Sequence, residues 1–406
     1  MRPTLYLDFA RARRFDPRLS YSRASSGTFL DPAGFLRTVA ANVPRFDHDV
    51  TGRCKGILLE EAGTNLLLRS EELDNAAWGQ NSNADMDVTA NATLAPSNAV
   101  TGDKIYEATT ANANHVLLQT FTASDGTVYC WSFHGKAAER SRLALSILRK
   151  DGVQRGKVFE LADGTILSDV SGAPDYSGII NVGNGWYRCW VATSVLTGAT
   201  TPAVRATLAN GASQLTYAGT VNSGLYGWGG QCEIGKAPTS YIQTTSATVT
   251  RAADLLTLSG TEYSRVFNPV AGTILIEVSD IGYPVSGSNT YFGSFDDGGG
   301  NNLIGLLDSG ALNRFQVTAS GVGQASVDPT YGGQVRKTVV AAYKGNDFAC
   351  SVNGSAVVTD TSGSLPSVTQ LAIGAAAGLT RGRVCVERLI YWPVRLPDQQ
   401  IQNLSR

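Results

Sequence analysis

Paired turn residues recur through this chain at short intervals. Asp125-Gly126, Asp151-Gly152, Asp163-Gly164 and Gly183-Asn184-Gly185 cut its middle into short segments rich in Val, Ile, Leu, Thr and aromatic residues. Asp-Gly and Asn-Gly pairs tolerate the positive φ that tight turns need, so they punctuate strands. The spacing predicts strands at His115–Phe121, Val128–His134, Arg142–Leu148, Lys157–Leu161, Gly178–Asn181, Trp186–Ser194, Ala203–Leu208 and Gly224–Cys232. Composition agrees. Of 406 residues, 44 are Gly and only 17% are charged, and the Ser, Thr and Asn that replace charge are poor helix formers.

The chain divides into three parts. Residues 1–70 hold short β-type segments between turns such as Asp31-Pro32-Ala33-Gly34, too few to build a sandwich alone, so this part is expected to pack on a neighbouring domain or subunit. Residues 71–250 carry the evenly spaced strands of a sandwich or jelly roll. Residues 256–406 repeat that style, with a two-residue hairpin signal at Asn353-Gly354 and a single short helix beginning near Asp398. The Thr/Ser-rich stretch 244–253 marks the boundary. The expected fold class is all-β, with two antiparallel sandwich or jelly-roll domains after a short N-terminal region.

Several classes are disfavoured. A net charge of −1 provides no field to attract nucleic acid. No apolar run is long enough for a membrane span. No secretory leader is readable, which points to folding in a reducing cytoplasm. The six cysteines include no Cys-x-x-Cys pair, and Cys130, Cys189 and Cys385 fall inside strands, as small hydrophobes do. Only three histidines are present and Gly-x-Ser-x-Gly is absent, which argues against a serine hydrolase.

Three strings near the N-terminus are more specific: Tyr21-Ser22-Arg23-Ala24-Ser25-Ser26-Gly27-Thr28, Pro44-Arg45-Phe46-Asp47-His48-Asp49 and Leu58-Leu59-Glu60-Glu61-Ala62-Gly63-Thr64-Asn65-Leu66-Leu67. This region resembles the N-terminal part of phage head-spike and tail-fibre proteins, including the head spikes of phage-derived gene transfer agents. The middle part is similar to carbohydrate-binding-module jelly rolls through Asn184–Cys189, Tyr226–Gln231, Pro238–Ile242 and Thr250–Asp254, and the last part to laminin-G or concanavalin-like sandwiches. Gly227 and Gly230 depart from the bulkier residues of relatives, through either an opened groove or close strand packing. The resemblance implies a spike on a virion or phage-like particle, assembled in the bacterial cytoplasm. Residues 1–70 would attach to a spike base or capsid protein. The β domains would bind bacterial capsule or another surface polysaccharide, with no nucleic acid or membrane partner. It also implies a homo-oligomer, with a trimer favoured.

Sugars are held by aromatic platforms flanked by planar hydrogen-bonding groups. Alternation puts Trp186, Arg188 and Trp190 on one strand face and Tyr187, Cys189 and Val191 on the other. Cys and Val belong inside, so Trp186, Arg188 and Trp190 are the candidate carbohydrate-binding residues, joined by Tyr226, Trp228 and Trp131. The loop Asp296-Asp297-Gly298-Gly299-Gly300-Asn301-Asn302 offers oxygens that suit Ca²⁺ or a glycan, without EF-hand spacing. No cofactor or metal ligand is otherwise expected. The adjacent pairs Glu60-Glu61, Glu71-Glu72 and Asp296-Asp297 diverge on a strand and match no glycosidase arrangement. No catalytic residue and no enzymatic activity is therefore expected, with a polysaccharide depolymerase and a purely architectural spike as the alternatives.

Overall fold

The computed structural model describes residues 2–80, 85–282, 289–310, 312–330, 336–377, 379–380 and 382–406. The chain is all-β. Two sheets of six strands face each other in its middle part. One runs in the order Tyr176–Gly183, Trp186–Ser194, Val128–Ala137, Gly224–Ile234, Val100–Glu107 and Met86–Leu94. The other runs Thr165–Val170, Gln154–Glu160, Arg142–Leu148, Ala203–Leu208, Val116–Thr120 and Gly79–Gln80. Successive strands cross between the sheets, so this is a jelly roll. Its core holds Trp131, Phe133, Leu145, Phe159, Cys189, Val191 and Cys232, the inward half of each alternating strand.

The turn residues act as their chemistry dictates. Asn184 and Gly185 both have positive φ, +53° and +78°, and close the hairpin between Tyr176–Gly183 and Trp186–Ser194. Asn353 and Gly354 do the same, but strand pairing resumes only at Val358, so that hairpin is longer than its sequence signal implied. All six cysteines are buried, with no disulfide among them. Sequence reading missed the strands Met86–Leu94 and Val100–Glu107, because an outer pair rich in Thr, Asn and Asp lacks strong apolar alternation.

The second sandwich is assembled from both ends of the chain. An eight-stranded sheet contains Ala271–Gly282, Lys337–Lys344 and Arg383–Trp392, and a seven-stranded sheet contains Leu255–Ser259, Thr290–Asp296 and Gln370–Ile373. Leu5–Asp8 and Cys54–Glu60 both pair with Arg383–Trp392, and Ser20–Ser22 pairs with Leu255–Ser259. Residues 1–70 thus do not form a separate unit: the strands Leu5–Asp8, Ser20–Ser22, Phe46–His48 and Cys54–Glu60 complete the C-terminal sandwich. The jelly roll is inserted between Cys54–Glu60 and Leu255–Ser259, and its two connections pair with each other, Gly63–Asn65 against Val249–Arg251. No helix among the described residues is long and apolar enough to cross a membrane.

Where the two units meet, the motif residues of the N-terminal strings converge in a buried ionic cluster. Arg45, fully buried, places its guanidinium 2.8 Å from Glu60 and 2.6 Å from Asp254. Asp254 also receives the Arg23 guanidinium at 3.2 Å, the Tyr21 hydroxyl and the Glu60 backbone N–H at 2.8 Å. Glu60 accepts from the Ser240 N–H at 2.8 Å, and Arg251 lies 3.6 Å from it. Burial raises the Glu60 carboxyl, but Arg251, Arg45 and Arg383 outweigh that and hold it far below its ordinary value. Asn65 adds a fully used amide, donating to the Gly230 and Ile242 carbonyls and accepting from the Leu67 and Cys232 N–H groups.

Candidate functional site

The outer face of the jelly-roll sheet carries most of the residues singled out from sequence. Register sets them in rows. Gly178, Trp190, Ser132 and Gln231 stand side by side, and two residues along the strands come Ile180, Arg188 and His134. Alternation therefore placed Trp186, Arg188 and Trp190 on the correct face. It did not show that most of this face is covered. The hairpin of Gly27–Leu30 with Leu36–Val39 and the segment 236–245 lie over it: Thr28 Oγ1 donates to the Tyr241 carbonyl at 2.6 Å, and the Leu36 N–H to the Pro96 carbonyl at 2.9 Å.

The candidate residues separate accordingly. Trp186 and Trp228 are buried, packed with Ala95 and Tyr241 under Leu36, while Tyr226 is half-buried beside them. Their indole N–H groups already donate, Trp186 to the Leu94 carbonyl and Trp228 to Thr101 Oγ1, both at 3.0 Å. Trp131 points the other way, into the core, against Trp78 and Phe133. These three tryptophans are packing residues, which corrects their expected role. Trp228→Phe is expected to cost about 1–2 kcal/mol for the lost ring volume and hydrogen bond. Glycan binding should stay unchanged, as denaturation and binding assays on the same variant would show.

Gly227 and Gly230 reflect close packing rather than a groove. A Cβ on Gly227 would come within 2.6 Å of Phe133, and one on Gly230 within 2.8 Å of Trp78. In the last domain, Asp296 is buried and accepts from Ser294, Gly298, Gln370 and Ala377. Asp297 accepts from the Gly299 N–H and the Asn302 amide, and Asn301 is exposed on the same loop. The carboxylates thus staple the loop. Among the described residues no group of three or more His, Cys, Asp or Glu is placed to hold a metal ion.

Trp190 differs from the other tryptophans. It is half-buried and faces Gly178 across the strand pair, where a Cβ would lie 2.6 Å from three indole atoms. The indole therefore lies over the bare glycine backbone, and no hydrogen bond engages its N–H among the described residues. Tyr176, on the next row, carries the Lys236 ammonium 5.8 Å from its ring centroid, and Ile180, on the other side, is 44% exposed. Sequence reading found Trp190 but not Gly178 or Tyr176, because only the strand register brings them together.

Beside this row, under the hairpin, lies a cavity of about 200 Å³. Leu30, Leu36, Ile180, Val182 and Tyr241 give it apolar walls, and Arg188, His134, His48 and Arg383 line it with polar groups. Burial, reinforced by Arg188, pushes the His134 imidazole down to about 3, so it is neutral. Burial also lowers the Arg188 guanidinium from its ordinary value, though it stays charged.

No protein-family model matches the chain, and no curated protein matches it. Several solved structures share β architecture with it. NanB sialidase from Streptococcus pneumoniae matches at 14% identity over 34% of this chain and 24% of that one, with a TM-score of 0.29. The CBM40 of Ruminococcus gnavus IT-sialidase, bound to alpha2,3 sialyllactose, matches at 17% over 34% of this chain and 84% of that one, also at 0.29. Trypanosoma rangeli sialidase matches at 12% over 75% and 60%, at 0.30. The chain spans about a quarter of the NanB sialidases it matches. Scores this low carry no argument for activity or ligand. The expectation of no enzymatic activity is nevertheless withdrawn, since structures named as sialidases stand among the matches; no activity is assigned to this chain.

Proposed function

We propose that the chain is a glycan-recognition protein, the host-binding spike or fibre of a phage-like particle, gripping bacterial capsule or another surface polysaccharide through the Trp190 row. The observation that carries this reading is the indole laid over Gly178, its N–H unengaged among the described residues. An aromatic ring half-open to solvent, flanked by Tyr176, Lys236 and Ile180, offers an apolar face to sugar C–H groups and polar tips to hydroxyls. The N-terminal strings support the spike assignment by resemblance. Such sites are individually weak, so presentation of several copies by a homo-oligomer, a trimer by the same resemblance, raises their avidity.

The test is a pulldown of the purified chain on encapsulated and capsule-stripped bacteria, with reducing sugar assayed in the supernatant. Capsule-dependent retention is the expected result. Equal retention on stripped cells, or none on either, would refute capsule recognition. Sugar release would add hydrolysis to binding and send the search back to the carboxylates.

A further inference from the structure

The geometry points to an acidic sugar as the ligand: the cavity beneath the 27–39 hairpin is a subsite for the carboxylate-bearing ring of a polysaccharide. This rests on the glycan reading above and deepens it. The first observation is Arg188. It lines the cavity at 6% exposure, yet its guanidinium bonds only neutral acceptors, the Thr239 carbonyl at 2.7 Å and Ser132 Oγ at 2.9 Å. Among the described residues it has no ion pair within 4.0 Å, and its Nε has no hydrogen-bond partner. Two of its five N–H donors are engaged, leaving enough for a forked grip on a carboxylate. A buried guanidinium without a counter-charge is costly, and a ligand carboxylate relieves that cost. The nearby Glu233 is committed elsewhere: its carboxylate accepts from Gln231 Nε2 and from the Thr239 N–H and hydroxyl.

The second observation is His48, which also lines the cavity and is 3% exposed. Its Nδ1 lies 3.0 Å from the Leu30 carbonyl and so carries the proton, which leaves the buried, unpartnered Nε2 as an acceptor for a sugar hydroxyl. The third is the surrounding charge. Lys55 and Arg383 line the cavity with Arg188, three cations against two lining acids: Asp47, 2.6 Å from Lys55 and 3.9 Å from Arg383, and Asp49, which accepts from Thr51 and Arg53. The volume is below the roughly 300–1,000 Å³ of a drug-sized site, so it takes a group of monosaccharide size or less. Ile180 lines it one row from Trp190, close enough for one chain of sugars to meet both.

The test titrates the full chain with sodium glucuronate, glucose and acetate by calorimetry. Glucuronate should bind saturably and at least about tenfold more tightly than either glucose or acetate. Ile180→Trp, at the exposed rim of the cavity, should remove glucuronate binding without lowering the melting temperature. Arg188→Lys, which keeps the charge but loses the fork, should weaken it by about tenfold or more. Equal affinity for glucuronate and glucose, or for glucuronate and acetate, would overturn the proposal. So would glucuronate binding untouched in folded Ile180→Trp. Trp190→Ala separates the two readings. If polysaccharide binding survives that change while Ile180→Trp abolishes glucuronate binding, the platform fails and the cavity stands. If polysaccharide binding depends on Trp190 but free glucuronate never binds, the cavity reading fails alone.

Discussion

Asp254→Ala should destabilise the protein by about 3–5 kcal/mol, the range expected when one member of a buried ion pair is removed. The carboxylate is fully buried and serves Arg45, Arg23, the Tyr21 hydroxyl and the Glu60 backbone N–H at once. Its loss leaves the buried Arg23 without a carboxylate, Arg45 with Glu60 alone and an amide unpaired where the jelly roll joins the sandwich. Against a typical total stability of about 5–15 kcal/mol, this is a large fraction. Equilibrium denaturation of purified protein measures it. Arg45→Met combined with Asp254→Leu should cost less than the two single changes summed, because the double variant leaves less charge unpaired. A single-variant loss below about 1 kcal/mol would show that the cluster is not what joins the two units. Acid should act in the same direction. The Glu60 carboxyl is held below its unfolded value of 4.5, so its contribution is complete above about pH 4.5 and is lost as the pH falls further.

Trp190→Ala should lower polysaccharide affinity by about thirtyfold, the equivalent of the roughly 2 kcal/mol carried by a central tryptophan in a binding surface. The melting temperature should barely move, because the ring is half-buried on an outer face and belongs to none of the core clusters. Gly178→Val provides an independent check. Its side chain would grow into the space 2.6 Å from the indole and lift the ring from the sheet, so binding should fall while Trp190 is still present. Unchanged binding in either folded variant would remove the platform from the proposed function. With the proposed homo-oligomer, the loss should be larger on intact cells than with monovalent oligosaccharide.

Alternation and turn chemistry make most of the β framework legible in the amino-acid sequence. The strand expected at Arg142–Leu148 forms with the same limits, and Trp186–Ser194 does too. The shared face of Trp186, Arg188 and Trp190 follows in the same way, since side chains two residues apart must share a side of a strand. Those are local properties, settled by the covalent geometry of a few consecutive residues. The distinctive strings around Arg23, Arg45 and Glu60 signalled something specific, but their role was not readable, because their partners Ser240, Arg251 and Asp254 lie some two hundred residues away in the chain.

The tertiary structure decided which side of the outer sheet face meets water. Trp186, Trp228 and Trp190 share chemistry and strand position, yet only Trp190 escapes the hairpin that ends at Val39 and the segment that carries Tyr241. It likewise decided that four strands from the first sixty residues complete the C-terminal sandwich, and that Arg188 faces a cavity with no carboxylate in ion-pair contact among the described residues. Burial is set by whatever chain returns to cover a surface. Strand alternation sorts residues into two faces, and only long-range packing tells which face is covered.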